Sequence, residues 1–136
     1  MKRLSIAICA MWMSGCTPTL PVGLPGWEAI EAPTVRSRLP AEDLEWLHRN
    51  LQVSPKAELV DGRYLVVTGC RSHLCTMVEG LAVIDTKGDG WMVARTEDGK
   101  GGVTMSRHSS WSDVLPDTVA IQKDRWIAGL RPSVQE

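Results

Sequence analysis

The sequence has no phenylalanine and a single tyrosine, Tyr64, so its aromatic packing must come mainly from six tryptophans. It also has no long apolar run, since the stretch from Leu4 to Met13 is roughly half the length that a bilayer-spanning helix needs. It carries no excess of basic residues, with 15 Lys and Arg against 16 Asp and Glu. A nucleic-acid-binding domain normally shows a basic stripe, so we expect no nucleic-acid partner.

The N-terminus has the pattern of an export signal. The basic pair Lys2-Arg3 precedes the apolar stretch and small residues follow it, as in a secretory signal peptide. The tetrapeptide Met13-Ser14-Gly15-Cys16 resembles the lipobox of bacterial lipoproteins, which implies removal of residues 1–15 and attachment of lipid to Cys16. An ordinary signal peptide cut elsewhere, or a short membrane anchor, is the alternative. Thr17, where Asp would signal retention at the inner membrane, favours a periplasmic domain anchored to the outer membrane.

Removal of residues 1–15 would leave a mildly acidic chain. The basic count falls from 15 to 13 because Lys2 and Arg3 are lost, while the acidic count stays at 16, so the net charge becomes −3. An acidic domain is compatible with a basic protein partner, because opposite charges steer the encounter of two proteins.

Cysteine is scarce, and two of the four cysteines lie in the export region. Cys9 belongs to the signal and Cys16 is the candidate lipid site, which leaves Cys70 and Cys75 as the remaining pair. The oxidising periplasm permits a disulfide between them. Such a bridge closes a loop of six residues, to which the chain-entropy model assigns about 2 kcal/mol of stabilisation. Its larger effect is to fix the side chains that the loop carries.

Composition and periodicity divide the mature chain into a tether and one domain. Residues 16–35 are rich in Pro and Gly, which predicts a semi-extended tether rather than a regular helix. Residues 36–136 form the domain, which begins with an amphipathic helix from about Pro40 to Leu51. A second helix is predicted between Pro116 and Leu130, after a capped helical turn over residues 109–115.

Between the two helices, runs of β-branched and aromatic residues bounded by Gly and Asp predict strands. Asp61 and Gly62 mark a hairpin, and residues 97–102 predict a long, flexible turn before a short last strand. The predicted strands cover residues 58–60, 63–68, 80–85, 91–95 and 103–105. The fold class is therefore α+β, with an antiparallel sheet of about five strands flanked by helices in a single domain.

The segment Cys70-Arg71-Ser72-His73-Leu74-Cys75 connects two predicted strands, and its residues alone leave three interpretations open. It is a bridged hairpin end with an incidental histidine, or a metal site, or a binding loop that presents His73 to a partner. A zinc site needs four ligands, and no second cysteine pair is available to complete one with Cys70, His73 and Cys75. The spacing also differs from that of a C-x-x-C redox pair.

The same six residues resemble the C-K-P-H-D-C loop of the Ivy family, the inhibitors of vertebrate lysozyme. Cys70, His73 and Cys75 match in place, and Arg71 replaces Lys conservatively. Two positions depart from the family loop, because Ser72 stands for Pro and Leu74 for Asp. The similarity extends from about Tyr64 to Leu130.

The resemblance implies a stoichiometric inhibitor without enzymatic activity or a cofactor. It implies that the loop enters the active-site cleft of a c-type lysozyme, where the His73 imidazole hydrogen-bonds the two catalytic carboxylates. The changes at Ser72 and Leu74 leave the preferred target and the affinity open. Two other functions stay compatible with the residues: restraint of the cell's own lytic transglycosylases or another muramidase, and a structural role as an envelope lipoprotein.

Overall fold

A computed structural model of the chain describes residues 19–75, 77–99, 102–130 and 134–135. The predicted signal segment and Cys16 lie outside these residues. In chain order the helices and strands are α1 (Gly26–Ala29), α2 (Pro33–Arg36), α3 (Ala41–Asn50), β1 (Glu58–Val60), β2 (Tyr64–Cys70), β3 (Glu79–Asp85), β4 (Trp91–Gly99), β5 (Gly102–Ser109), α4 (Asp117–Ala128) and β6 (Val134–Gln135). Within this described part of the chain, the helices are all too short or too polar to cross a membrane.

Strands β1 to β5 form an antiparallel meander in sequence order, and the two-residue β6 pairs with β5 in parallel. Asp61 and Gly62 both have positive φ angles, of 54° and 63°. Positive φ at both central residues is what a tight hairpin turn requires, and the amide of Arg63 closes this turn on the Val60 carbonyl at 3.1 Å. The predicted α+β fold, with five antiparallel strands and flanking helices, is confirmed.

The sheet separates two apolar cores because successive side chains of a strand point to opposite faces. On one face, Leu65 and Val67 of β2 pack with α3 and the N-terminal helices. On the other face, Tyr64 and Val66 pack with Val119 of α4. Both faces of β2 and β3 are covered, which explains why these strands read as continuous apolar runs rather than alternating ones.

Helix α3 lies close to the sheet at Gly80 of β3. A Cβ atom at this position would lie 2.8 Å from a Trp46 ring carbon and 3.2 Å from a Leu51 methyl carbon. Glycine is therefore required for the close approach. The contact brings the C-terminal end of α3 over the ends of β2 and β3, where the Cys70 to Cys75 segment begins.

The N-terminal segment differs from the predicted semi-extended tether. Residues 26–36 contain the short helices α1 and α2, and Ala29, Ile30 and Val35 are buried in the core shared with α3. Pro25 and Pro33 occupy the N-cap of α1 and the first turn of α2, where proline costs no hydrogen bond. The prolines thus limit the length of each helix without preventing helix formation.

Two further predictions of local structure are wrong. The predicted turn over residues 97–102 is shorter, because Glu97 and Asp98 pair with β5 as part of β4, and β5 extends to Ser109. Residues 110–116 contain bends, at positions 110–111 and 113–114, and no helical turn, and the Ser109 hydroxyl donates to the Trp111 carbonyl at 2.8 Å. Local polar and glycine content favoured a turn, but pairing with a neighbouring strand is decided by tertiary structure.

An ion pair secures the sheet at the end remote from the cysteines. The Arg63 guanidinium donates two hydrogen bonds of 2.8 Å to the Asp85 carboxylate, whose side chain is only 6% exposed. The Lys87 amide donates a third at 3.0 Å. These hydrogen bonds, first among them those from Arg63, lower the pKa of Asp85 against the opposing effect of its burial.

Acid is therefore expected to destabilise the fold through Asp85. Because its pKa is lowered in the folded state, the carboxylate stabilises the fold above its unfolded pKa of about 3.8, and this contribution is lost as the pH falls below that value. We expect the free energy of unfolding, measured with urea at a series of pH values, to fall less on acidification in Asp85→Asn than in the wild type. An identical pH dependence in both proteins would contradict this role.

Candidate functional site

Cys70 and Cys75 are joined by a disulfide, with their Cα atoms 4.8 Å apart. Cys70 is the last residue of β2, so the bridge closes a short loop at the end of the β2–β3 hairpin. The predicted pairing of these two cysteines is confirmed. We call residues 70–75 the disulfide loop.

Backbone hydrogen bonds hold both ends of the disulfide loop. Cys70 and Val53 exchange two of them, of 2.8 and 3.0 Å, as an isolated antiparallel bridge. The Arg71 amide donates to the Val78 carbonyl at 3.0 Å, and the Leu74 amide to the Arg71 carbonyl at 2.9 Å. The loop is therefore attached to the segment that contains Val53 on one side and to the residue before β3 on the other.

Two side chains add further support to the disulfide loop. The Gln52 side-chain oxygen accepts a hydrogen bond of 3.0 Å from the Ser72 amide. The half-buried Leu74 packs against the core that contains α3. The family loop that this segment resembles has Asp at this position. Here an apolar side chain takes its place, and its packing attaches the loop to the core.

Gln52 and Val53 were missed by the reasoning from sequence. They contact the disulfide loop across 20 and 17 residues of chain, and neither belongs to a motif. The only sequence signal is their position directly after α3, the helix that packs over the loop's base. Such contacts depend on how the helix lies on the sheet.

His73 is exposed in the middle of the disulfide loop and has a positive φ of 66°. This left-handed conformation is uncommon for residues other than glycine, although histidine adopts it more readily than most. The closed loop and its hydrogen bonds hold it there. Among the residues that the structure describes, none hydrogen-bonds the His73 imidazole, so both of its nitrogens are available to a partner.

A groove of about 750 Å³ runs beside the disulfide loop. Arg71 and Leu74 line it together with residues of α3 and the far end of β4, including Arg49, Glu97 and Asp98. The Trp46 indole donates to Glu97 at 2.7 Å, which joins α3 to β4 across the floor of this region. The groove is lined by both basic and acidic side chains, so it can form ion pairs with acidic or basic groups of a partner.

The metal interpretation of Cys70, His73 and Cys75 has no structural support. A disulfide removes the thiolates that would bind the ion. Among the described residues, no group of three or more His, Cys, Asp or Glu side chains is arranged to hold a metal. The remaining interpretations are a structural hairpin end and a binding loop.

His48 is exposed on α3, lies 2.7 Å from a Glu31 carboxylate oxygen and lines the groove beside the disulfide loop. It takes no part in the disulfide loop. His108 lies on β5, 3.2 Å from the buried Asp43 carboxylate. His73 is therefore the histidine that the disulfide loop presents.

Comparison with protein-family models matches residues 32–129 to the family described as Inhibitor of vertebrate lysozyme (Ivy). The matched segment is more than half of the chain and contains the whole disulfide loop. Searches of curated proteins and of solved structures give no match.

Proposed function

The chain belongs to the Ivy family of inhibitors of vertebrate lysozyme, and from this membership we propose that it blocks a c-type lysozyme by inserting His73 into the active-site cleft. The disulfide loop is the inhibitory element in this proposal, with Arg71, Ser72, His73 and Leu74 between its cysteines. The chain acts as a stoichiometric ligand and needs neither an enzymatic activity nor a cofactor.

The observation that carries the proposal is the exposed His73 on a loop held by a disulfide, by the Val53 bridge and by Gln52. A loop that is already ordered loses little conformational entropy when it binds. A merely structural bridge would not need a left-handed histidine whose imidazole is hydrogen-bonded by none of the described residues. The combination favours a binding loop over a structural hairpin end.

The chemistry of the target fits a histidine. Lysozyme needs one protonated and one ionised carboxyl group on either side of the glycosidic bond. A neutral imidazole has one nitrogen that donates and one that accepts a hydrogen bond, so His73 can engage both carboxyl groups. Occupation of this position would exclude the saccharide. The acidic mature chain would also be steered toward a basic lysozyme.

The test of the proposal is the lysis of a bacterial cell-wall suspension by a c-type lysozyme, followed as loss of turbidity, with increasing amounts of the full chain. We expect inhibition that reaches completion near equimolar ratio. If lysozyme stays fully active at a large excess of the chain, the proposal is wrong, and the same assay with lytic transglycosylases examines the alternative target.

Loss of the disulfide should weaken inhibition without unfolding the domain. In the double variant Cys70→Ser/Cys75→Ser the free energy of unfolding should fall by about 2 kcal/mol, because the closed loop is only six residues long. Circular dichroism should show the sheet retained, while inhibition weakens because the loop loses its order. Outright unfolding of this variant would instead identify the bridge as a structural staple.

We further propose that the protein is exported and attached by lipid on Cys16 to the outer membrane, facing the periplasm. The disulfide supports an oxidising compartment. The mass of the mature protein and its partition into detergent test this proposal. A water-soluble product with a free Cys16 thiol would reject lipid attachment.

A further inference from the structure

Three exposed apolar residues lie on, or pair with, the chain segment that follows α3 and contacts the disulfide loop. Trp27 and Val53 are each 52% exposed, and Leu24 is 38% exposed. We call these three residues the apolar flank. An exposed tryptophan is costly to leave in water, and clusters of exposed apolar residues mark interaction surfaces.

Backbone contacts place Val53 next to Cys70 and Trp27 next to Ser54, while Leu24 lies farther along the same segment, where its carbonyl accepts from the Ala57 amide at 2.7 Å. The segment that contains Val53 runs along the edge of β2, and Val53 itself pairs with Cys70. The residues before α1 pair with this segment at Pro25 and Lys56, and the amide of Trp27, in α1 itself, donates to the Ser54 hydroxyl at 2.9 Å. Ser54 directly follows Val53, so Trp27 is attached to the residue next to the one that pairs with Cys70.

The flank is fixed to the same rigid edge as the loop. Gly26 at the start of α1 packs so closely that a Cβ atom there would lie 2.6 Å from the Thr68 carbonyl oxygen and 2.9 Å from the Ser54 Cβ. Its amide donates to the Pro55 carbonyl at 3.0 Å. Trp27 is thereby held at a set distance from the loop and needs no rearrangement to meet a partner.

The disulfide loop is too small to form a complete interface. It carries four side chains between its cysteines, whereas a stable protein complex buries about 800 Å² and some 20–30 residues on each side. The partner must therefore also cover surface around the loop. Tryptophan is the residue type most enriched among interface positions that dominate the binding energy.

We propose that the apolar flank is part of the lysozyme-binding surface, with Trp27 as a second anchor beside His73. This inference rests on the proposed function and names a further contact of the same interface. Trp27 precedes residues 32–129, the segment that matches the family, so the contact belongs to this chain and not to the matched family segment.

Lysozyme is favoured over a bilayer or a second copy of the chain as the occupant. The flank lies on the same edge of the sheet as the disulfide loop, so a membrane or another copy that covered Trp27 would also obstruct His73. A partner that receives the loop, by contrast, meets Trp27 in the same encounter.

The test is the dissociation constant for a c-type lysozyme, measured by calorimetry with the full chain as wild type, Trp27→Ala and Trp27→Tyr. Ile121→Ala is the control, because Ile121 is 50% exposed and belongs to α4, which packs on the opposite face of the sheet. We expect Trp27→Ala to weaken binding roughly 10- to 30-fold, and Trp27→Tyr to retain most of the affinity. Ile121→Ala should bind as the wild type does.

Each other outcome overturns the inference in a distinct way. If the wild type binds and Trp27→Ala binds equally well, the flank is outside the interface while the proposed function stands. If the wild type does not bind lysozyme, the proposed function fails and the flank loses its partner with it. If Trp27→Ala binds lysozyme as the wild type does but no longer binds the phosphatidylethanolamine and phosphatidylglycerol vesicles that the wild type binds, the flank is a membrane contact. If Trp27→Ala keeps its lysozyme affinity but sediments as a monomer where the wild type sediments as a dimer, the flank binds a second copy of the chain.

Discussion

Replacement of His73 by alanine is expected to weaken inhibition of a c-type lysozyme roughly 30- to 1,000-fold, or by about 2–4 kcal/mol of binding free energy. The imidazole is the group on the disulfide loop that can donate to one carboxyl group and accept from the other. Its removal leaves the loop in place but takes away the contact to the catalytic pair. Inhibition constants from the cell-wall assay provide the measurement.

His108→Ala is the matched control for this substitution. His108 is also exposed, but it lies on β5 beside Asp43 and does not line the groove next to the disulfide loop. A folded His108→Ala variant should inhibit within about a factor of three of the wild type, because surface substitutions away from a contact have small effects. Equal inhibition by a folded His73→Ala variant and the wild type would refute the role of His73.

Replacement of Leu51 by alanine is expected to lower the free energy of unfolding by about 2–5 kcal/mol. Leu51 is fully buried at the end of α3, and its side chain covers Gly69 and Gly80, at the loop end of β2 and β3. The substitution opens a cavity beneath the disulfide loop. Urea unfolding followed by tryptophan fluorescence measures the change, and the midpoint should fall with an unchanged dependence on urea concentration.

The effect of Leu51→Ala should reach the disulfide loop as well. Gln52 and Val53 follow Leu51 directly, and both hold the loop through hydrogen bonds. We therefore expect weaker inhibition in this variant even under conditions where it stays folded. Ile121→Ala is the stability control and should change the free energy of unfolding by less than about 0.5 kcal/mol, since Ile121 is half-exposed. If Leu51→Ala were as stable as this control, the packing of Leu51 against the loop end of β2 and β3 would be contradicted.

Elements with strong local signals were predicted close to their observed bounds. Helix α3 follows from the apolar spacing of Leu44, Leu47 and Leu51, and its observed range of Ala41–Asn50 differs by one residue at each end from the predicted one. The β1–β2 hairpin follows from the Asp-Gly pair, and β3 from its β-branched run. These features arise from side-chain periodicity and turn chemistry, which act over a few residues.

The segment before α3 shows where such reasoning fails. Pro and Gly predicted an extended tether, but burial of Ile30 and Val35 against α3 more than offsets the weak local preference. The length of β4 was underestimated for the same reason. Glu97 and Asp98 favour a turn by themselves, yet β5 supplies a partner for their backbone.

The sequence by itself determined the candidate site: two cysteines left over from the export region, a histidine between them, and strands on either side. It also determined the family, because Cys70, His73 and Cys75 are spaced as in the Ivy loop. Only the tertiary structure decided how this loop is held and what surrounds it. Gln52 and Val53 reach it, and Trp27 is attached to the same segment at Ser54, through contacts between segments distant in sequence. Such contacts leave no periodic signal because they depend on how helices and edge segments pack on the sheet.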